Sequence, residues 1–397
     1  MKSRAWADIA LALVAGAIAA YGFPPHGIGP LTLAAIAVLA LRLPDASPRR
    51  AAFLVWLFQT AWHFTALAWI SEAFLVTMPG MGRWALAPEL GLGAGLALFW
   101  AAMAYLWRRF WPDAARAGAA AFLGLACALS LGEWLTGHLL TGFPWAQTSL
   151  AFLDSPLALN GRSLGAYGVG LTLLAATLAV VGGACAMWRA KMLARRQIAI
   201  VAVALAALAA PWSMSVPTRS SVTQGKVLPD QSAWPVIRLV QGNTPQREKW
   251  RPENLPTIFA RHMKLSMAPA ERPLAAIVWP ETATPFPVDE AQDALAALAE
   301  AAPKDGYVIL GAPLRKRQQN GGYRYTNSLI AIDKSGAVVA QYDKAHLVPG
   351  GEYVPLENVL PIGKLAPGRG SFVPGPGIAT LHLPGLPPFS PLICYEV

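Results

Sequence analysis

The sequence predicts a polytopic α-helical membrane domain followed by an α/β domain. Hydrophobic residues make up 55% of the 397 residues and charged residues only 14%, a composition typical of membrane proteins. The apolar residues form long blocks before about residue 213, whereas charges and prolines are more frequent after it. We therefore predict a membrane domain over residues 1–213, a linker over 214–233 and a second domain over 234–397.

Seven apolar segments are candidates for membrane-spanning helices, because a span needs about 20 mostly apolar residues. The first two are short, and the glycines and prolines between Tyr21 and Gly27 predict a tight helical pair. A cleaved signal peptide is the alternative for the first segment, since Lys2 and Arg4 precede an apolar stretch. The seven segments are residues 7–22, 28–43, 51–70, 90–107, 118–140, 164–188 and 196–213.

The basic residues between these segments predict the orientation of the chain. In the seven-span arrangement twelve Lys and Arg lie on one side, and only Arg83 and Arg162 lie on the other. Cytoplasmic loops carry the excess of basic residues, so the N-terminus is predicted to be cytoplasmic and the second domain non-cytoplasmic. Residues 1–213 contain 14 basic and 7 acidic residues, against 18 and 15 in residues 214–397. The net charge of +10 therefore reflects topology, and no nucleic-acid partner is predicted.

Two ionisable residues, His63 and Glu133, lie in or near predicted spans. Such residues are often functional. A single buried histidine is also a common core residue, which is the interpretation we favour for His63. For Glu133 a functional role and an extension to the headgroups are equally compatible with the sequence.

Short β-branched segments alternate with helical stretches in the second domain. Helices are predicted over 254–267 and 289–301. The resulting βαβαβ order, followed by further strands in close succession, favours an α/β sandwich. The sequence has no glycine-rich phosphate loop, zinc-ligand spacing or Gly-x-Ser-x-Gly motif, so no cofactor or metal is predicted. The predicted strands are 236–240, 275–279, 307–311, 328–332, 337–342, 378–383 and 390–395.

Three chemically complementary residues lie where predicted strands end: Glu281, Lys344 and Cys394. Residues at the strand ends of an α/β sheet converge on one crevice. A cysteine thiolate attacks acyl carbons, a carboxylate accepts its proton, and an ammonium stabilises the developing oxyanion. Each residue alone is typical of an ordinary surface or core position, but the combination predicts nucleophilic acyl chemistry.

The motifs around these residues resemble those of the nitrilase superfamily. They are Trp-Pro-Glu-Thr at 279–282, Tyr-Asp-Lys-Ala-His-Leu-Val-Pro followed by Gly-Glu-Tyr-Val-Pro within 342–355, and Cys-Tyr-Glu at 394–396. The seven preceding spans narrow the resemblance to the bacterial apolipoprotein N-acyltransferases, and it covers essentially the whole chain. It implies an αββα sandwich for residues 234–397.

The resemblance also implies roles for individual residues. Glu281 corresponds to the general base, Lys344 to the oxyanion-stabilising lysine and Cys394 to the nucleophile. Four further residues match the family's site: Glu352 as an additional active-site glutamate, Trp250 as a substrate-handling tryptophan, and Tyr395 and Glu396 beside the nucleophile. A lid or core aromatic is the alternative for Trp250.

Two features depart from the family pattern. Gly350, between Pro349 and Gly351-Glu352, occupies a position where the family usually has an aromatic residue, so the loop that carries Glu352 is expected to be looser. The chain ends at Val397, three residues after Cys394, whereas family members continue with more of the sandwich and a last membrane helix. We therefore expect the 397-residue form to be inactive or unstable and a longer form to be active.

The activity implied by the resemblance is N-acylation of the S-diacylglyceryl cysteine at the N-terminus of apolipoproteins, the last step of lipoprotein maturation. The acyl donor would be a phospholipid, phosphatidylethanolamine, and a thioester on Cys394 the intermediate. The implied location is the bacterial inner membrane, with the catalytic domain in the periplasm. The alternatives are a membrane-tethered nitrilase-type amidase with a soluble substrate, and a transporter or lipid-binding scaffold with an inactive sandwich domain.

Overall fold

The computed structural model describes residues 2–77, 79–114, 118–140, 142–190, 198–204, 234–317, 322–349, 351–353 and 372–396. The chain divides into two compact units. One comprises Met1–Leu75 and Gly80–Lys226, and the other Val76–Pro79 and Val227–Val397. The predicted linker, residues 214–233, lies outside the described part of the chain. The border between the two units, after Lys226, falls within it.

The first unit is helical. Six of the seven predicted apolar segments coincide with helices, and α4 is an additional short one. The seventh segment overlaps helical residues 198–204, and residues 205–213 lie outside the described part. The helices are α1 (Lys2–Ala19), α2 (Gly29–Ala40), α3 (Pro48–Ala66), α4 (Trp69–Thr77), α5 (Leu86–Phe110), α6 (Ala119–His138) and α7 (Gly161–Ala190).

Within the described part of the chain, four helical segments are long and apolar enough to cross a bilayer: Arg4–Gly22, Gly82–Phe110, Ala119–His138 and Pro156–Arg189. Helix α2 is apolar but short, and at about 1.5 Å per residue its 12 residues span only part of a bilayer core. The length and composition of these helices agree with the predicted membrane domain, and the count of seven spans stays a prediction.

Glycines allow close helix packing in this unit. A Cβ on Gly16 would stand 2.1 Å from the carbonyl oxygen of Phe58, and one on Gly132 would stand 3.1 Å from the Cα of Trp100. Small residues let helix backbones approach closely in membranes, where van der Waals contact replaces the hydrophobic driving force. The apolar core around these contacts includes Trp62, Phe122 and Leu125.

The two intramembrane ionisable residues have local partners. The His63 ring is buried and hydrogen-bonds to the carbonyl oxygen of Gln59 at 2.9 Å. This environment agrees with the interpretation of His63 as a core residue. The Glu133 carboxylate is also buried and accepts a hydrogen bond from the backbone N–H of Thr148. Glu133 thus binds the first residue of a short 3-10 helix, Thr148–Phe152, inside the helical unit.

The described residues of the second unit form a five-stranded mixed sheet in the order β1-β2-β3-β4-β5. The first three strands are parallel and the last three antiparallel, so the predicted βαβαβ beginning is confirmed. Helix α8 (Leu255–Ser266) connects β1 to β2, and helix α9 (Gln292–Ala301) connects β2 to β3. The strands are β1 (Val236–Leu239), β2 (Leu274–Val278), β3 (Tyr307–Arg317), β4 (Tyr323–Ile332) and β5 (Val338–Asp343).

Alternate residues of the strands bury opposite faces of the sheet, as a pleated strand requires. Val308 and Leu310 of β3 belong to a cluster that includes Leu298 of α9. Ile309, between them, packs on the other face near Leu383. The sheet therefore has a helical layer on one face and the segment around residues 383–389 on the other, and the predicted α/β class is confirmed.

Two predicted strands, 378–383 and 390–395, are wrong. Among the described residues, 378–383 forms only one isolated bridge, from Leu381 to Phe389, and 390–395 forms no strand. Pro384, Pro387, Pro388 and Pro391 lie between or within them. Proline has no N–H to donate to a strand ladder, so Pro391 interrupts any pairing of 390–395, and Pro384 prevents 378–383 from continuing as a strand.

Candidate active site

Three predicted site residues, Glu281, Lys344 and Glu352, lie together in the second unit. The Lys344 Nζ is 3.0 Å from Glu352 Oε2 and 3.9 Å from Glu281 Oε1. The Lys344 side chain is only 1% exposed, whereas that of Glu281 is 37% exposed. A buried ammonium therefore lies between two carboxylates, one buried with it and one in contact with solvent.

Asn327 completes this cluster and was missed by the sequence reasoning. Its Nδ2 donates to Glu281 Oε1 at 2.7 Å and to Glu352 Oε1 at 2.6 Å. An amide nitrogen carries two protons, so it satisfies both carboxylates at once. The signal in the sequence was the polar run Thr326-Asn327-Ser328 directly before the apolar residues 329–332 of the same strand, and all three polar residues are buried.

The backbone of Lys344 is fixed on both sides. Its N–H donates to the carbonyl oxygen of Asn327 at 2.8 Å, and its own carbonyl accepts from the N–H of Gly375 at 2.8 Å. A Cβ on Gly375 would stand 2.1 Å from the carbonyl oxygen of Asp343. Lys344 is thus held at the end of β5 by a strand neighbour and by a segment that only glycine allows to approach.

Asp343, the last residue of β5, anchors the same strand end. Its buried carboxylate accepts hydrogen bonds from Ser328 Oγ at 2.6 Å, from Gln341 Nε2 at 2.8 Å and from the Lys316 ammonium. Burial alone would raise the pKa of Asp343, but these donors, led by Lys316 and Ser328, lower it below its ordinary value. The carboxylate is therefore a charged structural anchor.

Glu281 lies in a turn that begins after β2 ends. Thr282 has a φ of 49°, in the left-handed region that β-branched residues rarely adopt. The Ala283 N–H donates to the carbonyl oxygen of Gly311 at 2.9 Å. A Cβ on Gly311 would stand 2.7 Å from the Cα of Glu281. The sheet thus holds the strained turn in place, as is typical of functional sites.

Cys394 is connected to this site through Glu396. Glu396 Oε1 accepts hydrogen bonds from the backbone N–H groups of Ala345 at 2.7 Å and His346 at 3.0 Å, the two residues after Lys344. Cys394 itself is exposed and has a φ of 52°. The turn Cys394–Glu396 therefore presents a thiol from a constrained backbone next to the end of β5.

The environment of Glu396 favours its charged form. Burial alone would raise its pKa, but hydrogen bonds from the N–H of His346, the Tyr342 hydroxyl and the N–H groups of Ile393 and Ala345 lower the pKa below its ordinary value. Burial raises the pKa of Tyr342 to about 12, together with its hydrogen bond to Glu396 and the charge of that residue. Tyr342 therefore stays a neutral donor at 2.7 Å from Glu396 Oε1.

Trp250 follows a single helical turn, Gln246–Lys249. The preceding residue, Lys249, donates from its ammonium to the carbonyl oxygen of Glu281 at 3.1 Å. This bond connects the segment of Trp250 to the turn of Glu281. The side chain of Tyr395 lies outside the described part, so its predicted place beside the nucleophile stays a prediction.

The loop that carries Glu352 has several backbone and side-chain contacts. The Glu352 N–H donates to the carbonyl oxygen of Val348 at 2.9 Å, and Glu352 Oε2 accepts from the N–H of Val348 at 2.8 Å. The carbonyl oxygen of Glu352 accepts from Phe372 N–H at 2.8 Å. These contacts fix the carboxylate against Lys344.

A carboxylate after β2, a buried lysine after β5 and an exposed cysteine on a turn bound to that same strand end can supply a base, a cation for an oxyanion and a nucleophile. Together with the apolar helices that precede it, this arrangement defines a membrane protein with a nitrilase-type domain.

Comparisons with known proteins agree with this class. Residues 236–397 match the family model of carbon-nitrogen hydrolases, and residues 15–179 match that of the apolipoprotein N-acyltransferase N-terminal domain. The apolipoprotein N-acyltransferase of Rhodopseudomonas palustris is 35% identical over 412 residues, covering 98% of this chain and 74% of that protein. The proteins of the same name from Allorhizobium ampelinum and Rhizobium etli are 32% and 35% identical, covering 100% and 98% of this chain and 75% and 74% of their own length.

The chain belongs to the apolipoprotein N-acyltransferase family. It spans about three quarters of the length of the relatives it matches. The predicted family and the predicted enzyme class, an acyltransferase, are confirmed by these relatives, which support that interpretation over the amidase and the transporter.

Proposed function

We propose that this protein N-acylates the S-diacylglyceryl cysteine at the N-terminus of apolipoproteins, with a phospholipid as the acyl donor and Cys394 as the nucleophile. Family membership supports the reaction class. The observation that carries the site assignment is the convergence of Glu281, Lys344 and Glu352 around one amide, beside the segment of Cys394.

In the first half-reaction the Cys394 thiol transfers its proton to Glu281, and the sulfur attacks the sn-1 ester carbon of the phospholipid. The Lys344 ammonium stabilises the charge that develops on the carbonyl oxygen. The C–O bond then breaks, and Glu281 returns the proton to the leaving oxygen. The products are an acyl thioester on Cys394 and a lysophospholipid.

In the second half-reaction the free amine of the lipoprotein's diacylglyceryl cysteine attacks the thioester carbon. The amine loses a proton to Glu281, the C–S bond breaks, and the thiol of Cys394 is restored. An amide forms on the lipoprotein. Two steps suit the chemistry because an activated covalent intermediate divides one difficult transfer into two easier ones.

The membrane helices give this reaction a physical advantage. Both substrates carry acyl chains anchored in a bilayer, and a catalytic domain tethered to the same bilayer meets them at a high effective concentration. We propose phosphatidylethanolamine as the donor. We further propose the bacterial inner membrane as the location, residues 1–213 as the anchor and the periplasmic side for residues 234–397, as the loop charges predict.

The thioester is the intermediate to detect. Membranes that contain the full-length protein are incubated with phosphatidylethanolamine labelled in its sn-1 acyl chain. We expect a protein-bound label that hydroxylamine removes and that a diacylated lipopeptide discharges with formation of an N-acylated product.

Variants locate the label on one cysteine. Cys394→Ser is expected to abolish the hydroxylamine-sensitive adduct, because an oxygen ester resists that treatment. Cys127→Ser, the matched control in α6, is expected to be labelled like the wild type. Absence of any adduct in folded wild-type protein, or its persistence in Cys394→Ala, would refute the proposal.

A further inference from the structure

Lys249 is a cation near the proposed site that the acyl-transfer chemistry above does not use. It ends the helical turn Gln246–Lys249, directly before Trp250, and its ammonium donates to the main-chain carbonyl of Glu281 at 3.1 Å. The side chain is partly buried. A lysine that is taken partly out of water to bind a single backbone carbonyl costs hydration energy, so the contact needs an explanation.

The turn that receives this hydrogen bond is strained. Thr282, the next residue, has a φ of 49°. The peptide group that joins Glu281 to Thr282 has its carbonyl on Lys249, while the Glu281 side chain is held by Asn327. A conformation that is rare for a β-branched residue persists only where its surroundings hold it. Lys249 is one of the groups that hold it.

The same bond fixes the segment that carries Trp250. Two polar atoms of this segment, Thr244 Oγ1 and Trp250 Nε1, are buried without a hydrogen-bond partner among the described residues. Their unmet hydrogen bonds disfavour the position that the segment has in the structure. The hydrogen bond of Lys249 offsets part of this cost and links the segment to the sheet through Glu281.

The charges around Lys249 are consistent with a bridging role. Burial lowers the pKa of its ammonium, and the charge of Glu281 opposes that shift. His262 and Arg261 of α8 also face this region. Burial lowers the pKa of His262, and the positive charges of Lys249 and Arg261 lower it further. Among these groups, the negative neighbour of Lys249 is Glu281. Arg261 and His262, which carry or can gain a positive charge, both lie on α8.

We propose that Lys249 is a positioning residue: it fixes the main chain of Glu281 in the orientation needed for proton transfer and docks the Trp250 segment to the same turn. The inference rests on the proposed function of Glu281. Lys249 acts through another residue and does not touch the reacting atoms.

The test measures the rate of thioester formation in the full-length protein as a function of labelled donor concentration. For Lys249→Met we expect the saturating rate to fall about 10- to 100-fold while the half-saturating donor concentration changes less than threefold. Lys249→Arg, which keeps a cation of similar reach, is expected to retain most of the rate. The rate of Lys249→Ala is expected to recover in part when ethylammonium is added. Lys264→Met, an exposed lysine in α8, is the control and is expected to match the wild type.

Three results would overturn the proposal. The first is an unchanged rate in Lys249→Met. The second is a change confined to the half-saturating donor concentration, which would indicate that Lys249 binds the donor directly. The third is an equal loss of rate in the Met, Arg and Ala variants of Lys249 without rescue by ethylammonium, which would indicate a merely structural role.

Hydrogen exchange provides a measurement that does not depend on turnover. We expect faster exchange in residues 246–250 and 281–283 of Lys249→Met, and not in Lys264→Met. Unchanged exchange in both segments would contradict the proposal even if the rate falls. Absence of a thioester in the wild type would instead refute the proposed function, while the exchange result would still decide whether Lys249 holds the turn.

Discussion

The side-chain amide of Asn327 donates to both carboxylates of the candidate site, to Glu281 at 2.7 Å and to Glu352 at 2.6 Å. Its own carbonyl oxygen on the main chain accepts the N–H of Lys344 at 2.8 Å. One residue of a central strand therefore orients both acids and the backbone of the lysine. A neutral donor lies between the two carboxylates, and one buried ammonium offsets one of their two negative charges.

Substitution of Asn327 is expected to disable the site more than it destabilises the fold. Asn327→Asp has the same shape but replaces two donors by acceptors beside two carboxylates, so we expect at least a 100-fold lower rate of thioester formation. Asn327→Ala removes the donors without adding charge, and a smaller loss, about 10-fold, is expected. Asn160→Ala, at the end of a 3-10 turn in the first unit, is the control. A fully active Asn327→Asp would contradict the assignment.

Lys344 and Glu352 form a buried ion pair at 3.0 Å whose two members depend on each other. Removing one partner of a buried pair leaves an uncompensated charge and costs about 3–5 kcal/mol, whereas replacing both is often nearly neutral. We therefore expect Glu352→Gln and Lys344→Met each to lower the thermal midpoint in detergent by several degrees. The double variant is expected to recover most of that loss and to form no thioester.

If the double variant is stable but forms no thioester, the contribution of Lys344 to stability is separate from its contribution to the reaction. A double variant as unstable as the worse single variant would show that the pair is not the source of the instability.

Glu396 predicts a pH dependence of stability. Its pKa in the folded protein lies below its ordinary value of about 4.3, so its contribution is fully present above pH values near 4.3 and is lost as the pH falls through the folded-state pKa. Glu396→Gln replaces a charged acceptor by a neutral amide and is expected to cost about 1–3 kcal/mol near pH 7. The difference from wild type should shrink below about pH 4.

Thermal unfolding between pH 3 and 8 measures this dependence. Glu300→Gln, an exposed residue of α9, is the matched control and is expected to follow the wild type. An equal deficit of Glu396→Gln at all pH values would show that charge is not the reason for its effect.

Much of the site could be predicted because it follows from local rules. The strand-end positions of Glu281 and Lys344 follow from hydrophobic periodicity and from the convergence of strand ends in an α/β sheet. Asn327 could not be predicted in this way, since a buried polar residue within a strand has no periodic signal and its partners are 46 and 25 residues away.

The other differences between the predicted and the observed strands come from long-range contacts and from the missing N–H of proline. Strand β3 continues to Arg317 although its sequence turns polar after residue 314, because β4 pairs with it along its whole length. The segments 378–383 and 390–395 have suitable apolar residues but lie among prolines that cannot donate to a ladder. The connection of Glu396 to Ala345 spans 51 residues, and no local pattern encodes it.

Gly311 provides a test of how tightly the sheet sets the position of Glu281. A Cβ at this position would stand 2.7 Å from both the Cα of Glu281 and the N of Thr282. Both atoms belong to the backbone and cannot rotate away, so Gly311→Ala must displace the turn. We expect at least a 10-fold lower rate of thioester formation, with most of the β3–β4 pairing retained because Ala312 and Leu314 keep their partners.

The matched control is Gly95→Ala in α5, where a Cβ meets nothing within 4 Å and the exchange favours the helix by about 1 kcal/mol. This variant is expected to be as active as the wild type. If Gly311→Ala is equally active, the turn tolerates displacement, and the position of Glu281 must be set by the Asn327 amide and the Lys249 ammonium without help from the close approach of β3.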